Sequence, residues 1–475
     1  MFQDLVKSQK LFFDSQQTKS LHFRQKALKK LKDSILSHKQ EILQALSEDL
    51  GKHFVEGYMS EVAQVLEEIS HALKDLKKYT KPQKVKTPIT HFGGRSEVVY
   101  EPYGVVLVIS PWNYPFALSL IPLVGAIASG NCVILKPSSY SKNTETILEQ
   151  ILCECFASEY VCMVKGGHQE TQALLEEKLD YIFFTGSVPV GKIVMEKASK
   201  NLIPLTLELG GKNPCILDKD VDLDMSVKRI VWGKFLNSGQ TCIAPDFLLA
   251  HKSHQNELIA KIMHYLQEFF GEEKMQSSSY GKIITQRHYT RAKELLEVEC
   301  GEVIGGGFDD EKHKIEPTII NFKNLEKNHE GLLCRVMQEE IFAPILPIFF
   351  YENIKECIDL IKTYPKPLAL YLFSQDKKLQ RKIVEEIPYG GGCMNDCIMQ
   401  VANAYLPFGG VGHSGMGSYH GSANFETFSH KKSIYYAPKF ELPLRYPPYS
   451  KKIFGIAREK ILDFLFAGGK DGMAK

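Results

Sequence analysis

From Val105 onward the chain reads VVLVI at 105–109, a helical run from Phe116, CVILK at 132–136, a helix from Thr144 and YVCMV at 160–164. It continues with a helix from Glu170, YIFF at 181–184, a helix from Val190, then LTLEL at 205–209 and PCILD at 214–218. The strand candidates are short and rich in Val, Ile and Phe, with no polar alternation. That is the pattern of strands covered on both faces, so this run predicts an α/β domain with a mainly parallel sheet. Such sheets bind ligands beyond the carboxyl ends of their strands, which directs attention to the residues just after each run.

Outward from this run, the first eighty residues read as helices, with Phe23, Ala27, Leu28, Leu31, Ile35 and Leu36 near the spacing of one buried face. The basic cluster Arg24–Lys32 reads as the solvated side of that helix, the alternative being a nucleic-acid or lipid contact. At 81–94, KPQKVKTPITHFGG breaks helices and marks a linker or an extended excursion. A second α/β stretch runs from Val221 to Ile398. From Tyr405 the character changes to a Gly-rich loop, the strand-like KSIYYAP at 432–438, RYPPY at 445–449 and an amphipathic helix from Ile453 to Phe466.

Composition narrows the function classes. The chain has 475 residues, long enough for several domains, with 44% hydrophobic and 24% charged residues, as in ordinary globular proteins. Its 58 basic and 56 acidic residues leave a formal charge of +2, too balanced for general attraction to nucleic acid or acidic membranes. The longest apolar stretch, 117–129, contains Pro122 and falls short of the ~20 residues a membrane helix needs, so no spanning segment is predicted. Asp4 and Lys7 interrupt the apolar residues of the N-terminus, unlike the core of a secretory signal. Eleven irregularly spaced cysteines resemble neither a disulfide framework nor a zinc site. Reduced thiols, no metal and a cytoplasmic location are the expectations.

Two glycine motifs need weighing. GSVPVGK at 186–192 fits seven positions of a phosphate loop, but the eighth, where a magnesium-binding hydroxyl is required, is Ile193. A turn between a strand and a helix N-terminus still suits an anion, and a cofactor pyrophosphate fits without magnesium. GVGHSG at 410–415 follows LPFG and not a β-branched strand, with no acidic residue about twenty positions on. It reads as a loop or turn.

Three residues stand out for chemistry. Cys242 lies in NSGQTCIAP among ten other cysteines, any of which is ordinarily a small core residue. Glu208 in PLTLELGGK shares a strand face with Thr206 and precedes Gly210 and Gly211, which permit close approach of a ligand or backbone. Asn113 in PWNYP also follows a strand, and capping of the helix near Phe116 is its plainer role.

PWNYP at 111–115, KPS at 136–138, FTGS at 184–187, LELGGK at 207–212, GQTC at 239–242, EEIFAP at 339–344 and PFGGVGHSG at 407–415 occur in one order along the chain. In that order and spacing the chain resembles the aldehyde dehydrogenase superfamily over nearly its whole length. The phrases VGKIVMEKASK and LPLRYPP look most like the class-three branch, which handles medium-chain aliphatic and aromatic aldehydes.

The resemblance implies that Cys242 attacks the aldehyde as a thiolate, forming a thiohemiacetal, helped by a helix N-terminus or the nicotinamide cation. It implies that Asn113 and the Cys242 N–H stabilise the oxyanion. It implies that Glu208 activates the water that hydrolyses the thioester. For NAD or NADP it implies Lys136 at the adenine-side ribose, Gly186, Ser187 and Gly191 at the pyrophosphate, and Glu340 and Phe342 at the nicotinamide ribose. Trp112 is expected to line the site beside Asn113, with Ser110, Leu209 and Gly210 completing the cofactor set. Ser139 stands where many NAD-preferring members carry Glu, which removes repulsion toward a 2′-phosphate.

The implied architecture is a Rossmann-like cofactor domain (1–80 and 98–207), an α/β catalytic domain (208–404), a small β-strand oligomerisation arm (81–97 and 405–437) and a tail with a helix (438–475). A homodimer is expected, with a tetramer as the alternative, and the last helix is expected to pack on its own protein and not on a membrane. Two other functions are carried forward, a catalytically inactive structural relative and a magnesium-dependent nucleotide hydrolase.

Overall fold

A computed structural model describes residues 1–297, 301–326, 329–440, 443–453 and 456–467. The chain divides into two compact units, the first Met1–Leu76 with Pro102–Phe428, the second Lys77–Glu101 with Ser429–Lys475.

In the first unit, the apolar runs form a six-stranded sheet in the order Gly415–Met416, Leu205–Glu208, Tyr181–Thr185, Val105–Ile109, Cys132–Lys136, Val161–Met163. The last five are parallel. Tyr181–Thr185, Val105–Ile109 and Cys132–Lys136 are buried along their whole length, which is why they lack polar alternation. The carboxyl ends of these three strands deliver Ser110, Lys136 and Gly186, and that of Leu205–Glu208 delivers Leu209. Gly415–Met416 corrects one boundary. Placed in the arm by sequence, it pairs antiparallel with Leu207 and Glu208, and the Gly421–Thr427 helix that follows packs on Ala117–Ser129. GVGHSG is therefore a turn buttressing the strand that ends in Glu208, and Ser414 O accepts a hydrogen bond from Leu209 N.

The early helices pack on this sheet layer. Asp49, near the end of the helix Lys39–Leu50, receives the backbone N–H groups of Asn143 and Thr144 and so caps the helix Lys142–Cys155. Two expectations from the basic helix Leu21–Ser37 change. Leu36 is exposed, and Arg24 is buried, its guanidinium donating to the carbonyls of Thr18, Ala128 and Lys19. Three carbonyl acceptors make an inward-facing arginine tolerable.

A seven-stranded sheet follows in the order Glu302–Ile304, Thr318–Asn324, Ile345–Tyr351, Phe247–His251, Pro214–Leu217, Ala369–Phe373, Gly391–Met394. Only its first strand is antiparallel to its neighbour. Its faces carry two apolar layers, one around Phe247, Phe349 and Leu370, the other around Leu248, Ile348 and Tyr371.

The second unit contains a three-stranded sheet, Gln83–Val85, Arg95–Pro102 and Ser429–Tyr436. Within it, Arg95 stacks over the Tyr436 ring at 4.2 Å and Lys432 pairs with Glu101 at 2.9 Å. The final helix spans Arg458–Ala467, and Ile453 lies outside it, bridging to Ile456. On this helix Leu462, Phe464 and Phe466 are exposed, whereas Ile461 and Leu465 are half-buried. Leu462 and Phe466, four residues apart, share one face of it. Among the described residues no helix is long and apolar enough to cross a membrane, and no group of three His, Cys, Asp or Glu is placed to hold a metal. Nine of the described cysteines are free thiols, whereas Cys334 is disulfide-bonded, against the expectation of reduced thiols throughout.

Candidate active site

The helix Leu223–Phe235 ends in a turn where Asn237, Ser238 and Gly239 all take left-handed φ of 52°, 53° and 74°. Left-handed backbone costs roughly 1–2 kcal/mol at a non-glycine residue, so the turn needs outside support. Glu56 accepts from Asn237 N at 3.0 Å, and Asn237 Nδ2 donates to the carbonyls of Asn113 (2.8 Å) and Gln240 (3.1 Å). The Gln240 amide donates to Asn237 O and Lys282 O and accepts from Ile284 N. Gly239 packs so closely on Ala343 that a Cβ would collide with its carbonyl. Held this way, the chain presents Cys242 just before the strand Phe247–His251, with the Cys242 carbonyl accepting from Asn213 Nδ2 at 2.7 Å.

Asn113 does not cap the helix Ala117–Ser129. Glu61 does, its Oε2 accepting from Phe116 N at 2.9 Å and Ala117 N at 3.0 Å. The Asn113 amide instead donates to Gln240 O at 3.0 Å, which leaves its second hydrogen for another acceptor. Glu208 ends its strand opposite Gly415, buried, with both carboxylate oxygens unpartnered. Burial raises its pKa well above the ordinary carboxylate value.

The Cys242 thiol is also pushed up, first by burial and then by the neighbouring Glu340 and Glu208, with its own and the Ile243 backbone N–H opposing. This corrects the expectation of help from a helix N-terminus. Cys242 sits in a turn, not in a helix's first turn, so the chain by itself favours the neutral thiol.

Cys242 and Glu208 line one cavity of about 290 Å³, otherwise walled mainly by apolar side chains, including Leu118, Ile121, Trp232, Leu236 and Ile398. Asn113 is not among its lining residues, and neither is Trp112. The Trp112 ring packs edge-on against Phe342 at 5.4 Å and tilted against His288 at 4.6 Å. Phe342 carries a positive φ of 50°, and burial lowers the His288 pKa to about 4, so that ring is neutral near pH 7.

The remaining predicted residues fit a dinucleotide. Ser187 stands at the N-cap of the helix Val188–Ser199 without spending its side chain on a cap, leaving first-turn N–H groups and a hydroxyl for a phosphate. Gly191 is tight, because a Cβ there would come within 2.7 Å of Leu209 Cδ2. Lys136 is buried, donating to Pro137 O (2.7 Å) and Gly166 O (2.6 Å) with one hydrogen to spare. Glu340 lies so close to Gly210 that a Cβ would collide with its carboxylate, and its Oε1 is buried and unpartnered, an acceptor suited to a ribose hydroxyl. The Ser110 hydroxyl is shared with Ser119 at 2.6 Å inside the core.

Sequence reasoning missed Lys52, Glu56, Glu61, Asn213, Asn237 and Gln240, which hold the site together. Asn213 and Gln240 adjoin the motifs LELGGK and GQTC and were within reach. Lys52 lies in the link 51–53 between two helices and Glu61 in the helical turn Tyr58–Val62, with nothing local to mark them.

A family model described as the aldehyde dehydrogenase family matches residues 3–434. The chain belongs to the aldehyde dehydrogenase family. It is 45% identical to 4,4'-diaponeurosporen-aldehyde dehydrogenase of Staphylococcus aureus, over 93% of this chain and 95% of that protein. It is 43% identical to the dimeric NADP-preferring aldehyde dehydrogenase of the dog, over 95% of this chain and 98% of that one. A structure of Staphylococcus aureus AldH in its substrate-bound state matches with a TM-score of 0.93 at 43% identity, covering 98% of this chain and 99% of that one. As a family member the chain is an oxidoreductase that oxidises aldehydes with NAD or NADP. The class-three resemblance holds, and neither the inactive-relative nor the hydrolase reading stands. Lys192, which a nucleotide hydrolase would need at the phosphates, is exposed.

Proposed function

We propose that this enzyme oxidises apolar, medium-chain to long-chain or aromatic aldehydes to carboxylic acids through a thioester on Cys242. The observation that carries this reading is the shared apolar cavity, which brings a buried thiol and a buried carboxylate with unpartnered oxygens to one space. Aliphatic and aromatic walls favour a hydrocarbon substituent, at ~25 cal/mol per Å² of apolar surface removed from water. The diaponeurosporen-aldehyde relative, named for a long apolar substrate, supports the same direction.

Cys242, deprotonated, adds to the aldehyde carbon, and the spare Asn113 amide hydrogen with the Cys242 N–H receives the oxyanion. Bound nicotinamide supplies the hydride acceptor. Glu208, deprotonated, then takes a proton from the water that attacks the thioester carbonyl, and cleavage of the C–S bond returns the thiol and the free acid. The six-stranded sheet serves as the cofactor module and the seven-stranded sheet as the catalytic one. The exposed strands of the second unit are proposed as a homodimer surface, in keeping with the relative called dimeric.

The test is NAD(P)H formation with hexanal, dodecanal and benzaldehyde. Cys242→Ala abolishes it. Glu208→Gln gives one equivalent of hydride per subunit and then stalls. Turnover surviving in Cys242→Ala contradicts the mechanism.

A further inference from the structure

Lys52 is 1% exposed, against the segment carrying Asn113. Its ammonium pairs with Glu61 Oε1 at 2.6 Å, donates to Asn113 O at 3.0 Å and stands 3.9 Å from the centroid of the Tyr114 ring. The other Glu61 oxygen grips the first turn of the helix Ala117–Ser129. The same Asn113 carbonyl also accepts from Asn237 Nδ2, and the Asn113 amide donates to Gln240 O. Both ends of Asn113 are thus tied down, the backbone end by Lys52 and Asn237, the amide end by the loop leading to Cys242.

Fold stability does not account for a fully buried ion pair here. Such a pair is commonly no more stabilising than well-packed apolar side chains of similar volume. What an apolar pair cannot do is hold a carbonyl in place. A donor to a developing oxyanion contributes only when correctly placed, and a displacement of about 1 Å in an active site costs on the order of 100-fold in rate.

We propose that Lys52, locked by Glu61, is a positioning residue that holds Asn113 in the orientation from which its amide receives the oxyanion. This rests on the role proposed above for Asn113. Lys52 itself does not line the aldehyde cavity.

The experiment is a double-mutant cycle. Lys52→Met, Lys52→Gln and the charge-neutral pair Lys52→Met with Glu61→Gln are each made with and without Asn113→Ala. The readouts are kcat, aldehyde KM, NAD dissociation constant and melting temperature. With Asn113 present, Lys52→Met and the charge-neutral pair lower kcat by roughly 30- to 100-fold, the size expected for a displaced donor. The NAD dissociation constant stays within about twofold, because the cofactor residues are untouched. Lys52→Gln, which keeps a donor for the Asn113 carbonyl, recovers part of the loss. With Asn113 already Ala, removing Lys52 changes kcat by no more than about threefold, because the group it positions is gone.

Equal losses in both backgrounds overturn the proposal, and so does a folded charge-neutral pair with wild-type kcat. If Lys52→Met fails to fold, the charge-neutral pair and Lys52→Gln decide by the same criteria. If Asn113→Ala alone leaves kcat intact, the oxyanion role of Asn113 falls and this proposal falls with it, whereas loss in Asn113→Ala without coupling to Lys52 overturns the positioning role alone.

Discussion

Asn213 is bonded directly to the peptide of Cys242: its Nδ2 donates to the Cys242 carbonyl at 2.7 Å and to the Ala244 carbonyl at 3.1 Å. Its Oδ1 accepts from Ala369 N at 2.8 Å, so one side chain couples the reactive turn to a strand of the seven-stranded sheet. Asn213→Ala strands two buried carbonyls and one N–H, each worth about 1–3 kcal/mol when left unpaired. The expected result is a loss of about 3 kcal/mol in urea unfolding, with kcat down roughly tenfold.

The Cys242 thiol is raised by burial and by Glu340 and Glu208, so without cofactor it is protonated at neutral pH. Alkylation by iodoacetamide tracks the thiolate fraction and is expected to rise about tenfold per pH unit from 7 to 9 without a plateau. NAD is expected to accelerate it at fixed pH, because a nicotinamide cation opposes the two carboxylates. A plateau below pH 8 in the cofactor-free enzyme contradicts this account.

Burial, and then Asp246, raise the Glu340 pKa from 4.5 to about 8. Between those values the folded chain holds a proton that the unfolded chain has released, so this group makes stability fall as pH rises through the window. Glu340→Gln, which cannot ionise, is expected to flatten the decline in unfolding free energy between pH 5 and 8. An unchanged slope indicates that Glu340 is already ionised in the fold.

Leu118 lines the cavity from the helix Ala117–Ser129. Leu118→Trp removes volume where an aldehyde's tail is proposed to lie. A kcat/KM series from hexanal to dodecanal is expected to fall most at the long end, by roughly 10- to 100-fold, since each methylene in an apolar pocket is worth about 1–3 kcal/mol. A uniform loss across the series places the tail elsewhere.

Ser139 leaves the Lys136 region without a carboxylate of its own at that position. Wild type is expected to use both cofactors, with a ratio of NAD to NADP specificity constants below about a thousand. Ser139→Glu is expected to raise that ratio by at least about tenfold through like-charge repulsion of the 2′-phosphate.

What is local or strictly ordered along the chain was legible in the sequence. Runs such as VVLVI and CVILK identified buried parallel strands because a strand covered on both faces has no reason to alternate. The order of PWNYP, LELGGK, GQTC and EEIFAP identified the family, because each motif serves a site assembled from several strand ends. Which partners those residues meet was settled by packing. Arg24 looked solvated because three carbonyl acceptors from elsewhere in the fold leave no trace in its own helix. Trp112, adjacent to Asn113, turns toward Phe342 and His288, since neighbours in sequence need not face the same space. The raised pKa values of Cys242 and Glu208 come first from burial, a property of the packed fold and not of either motif. Lys52 reaches Asn113 across 61 residues, a contact that no periodicity encodes and that exists only once the helices and the sheet have packed.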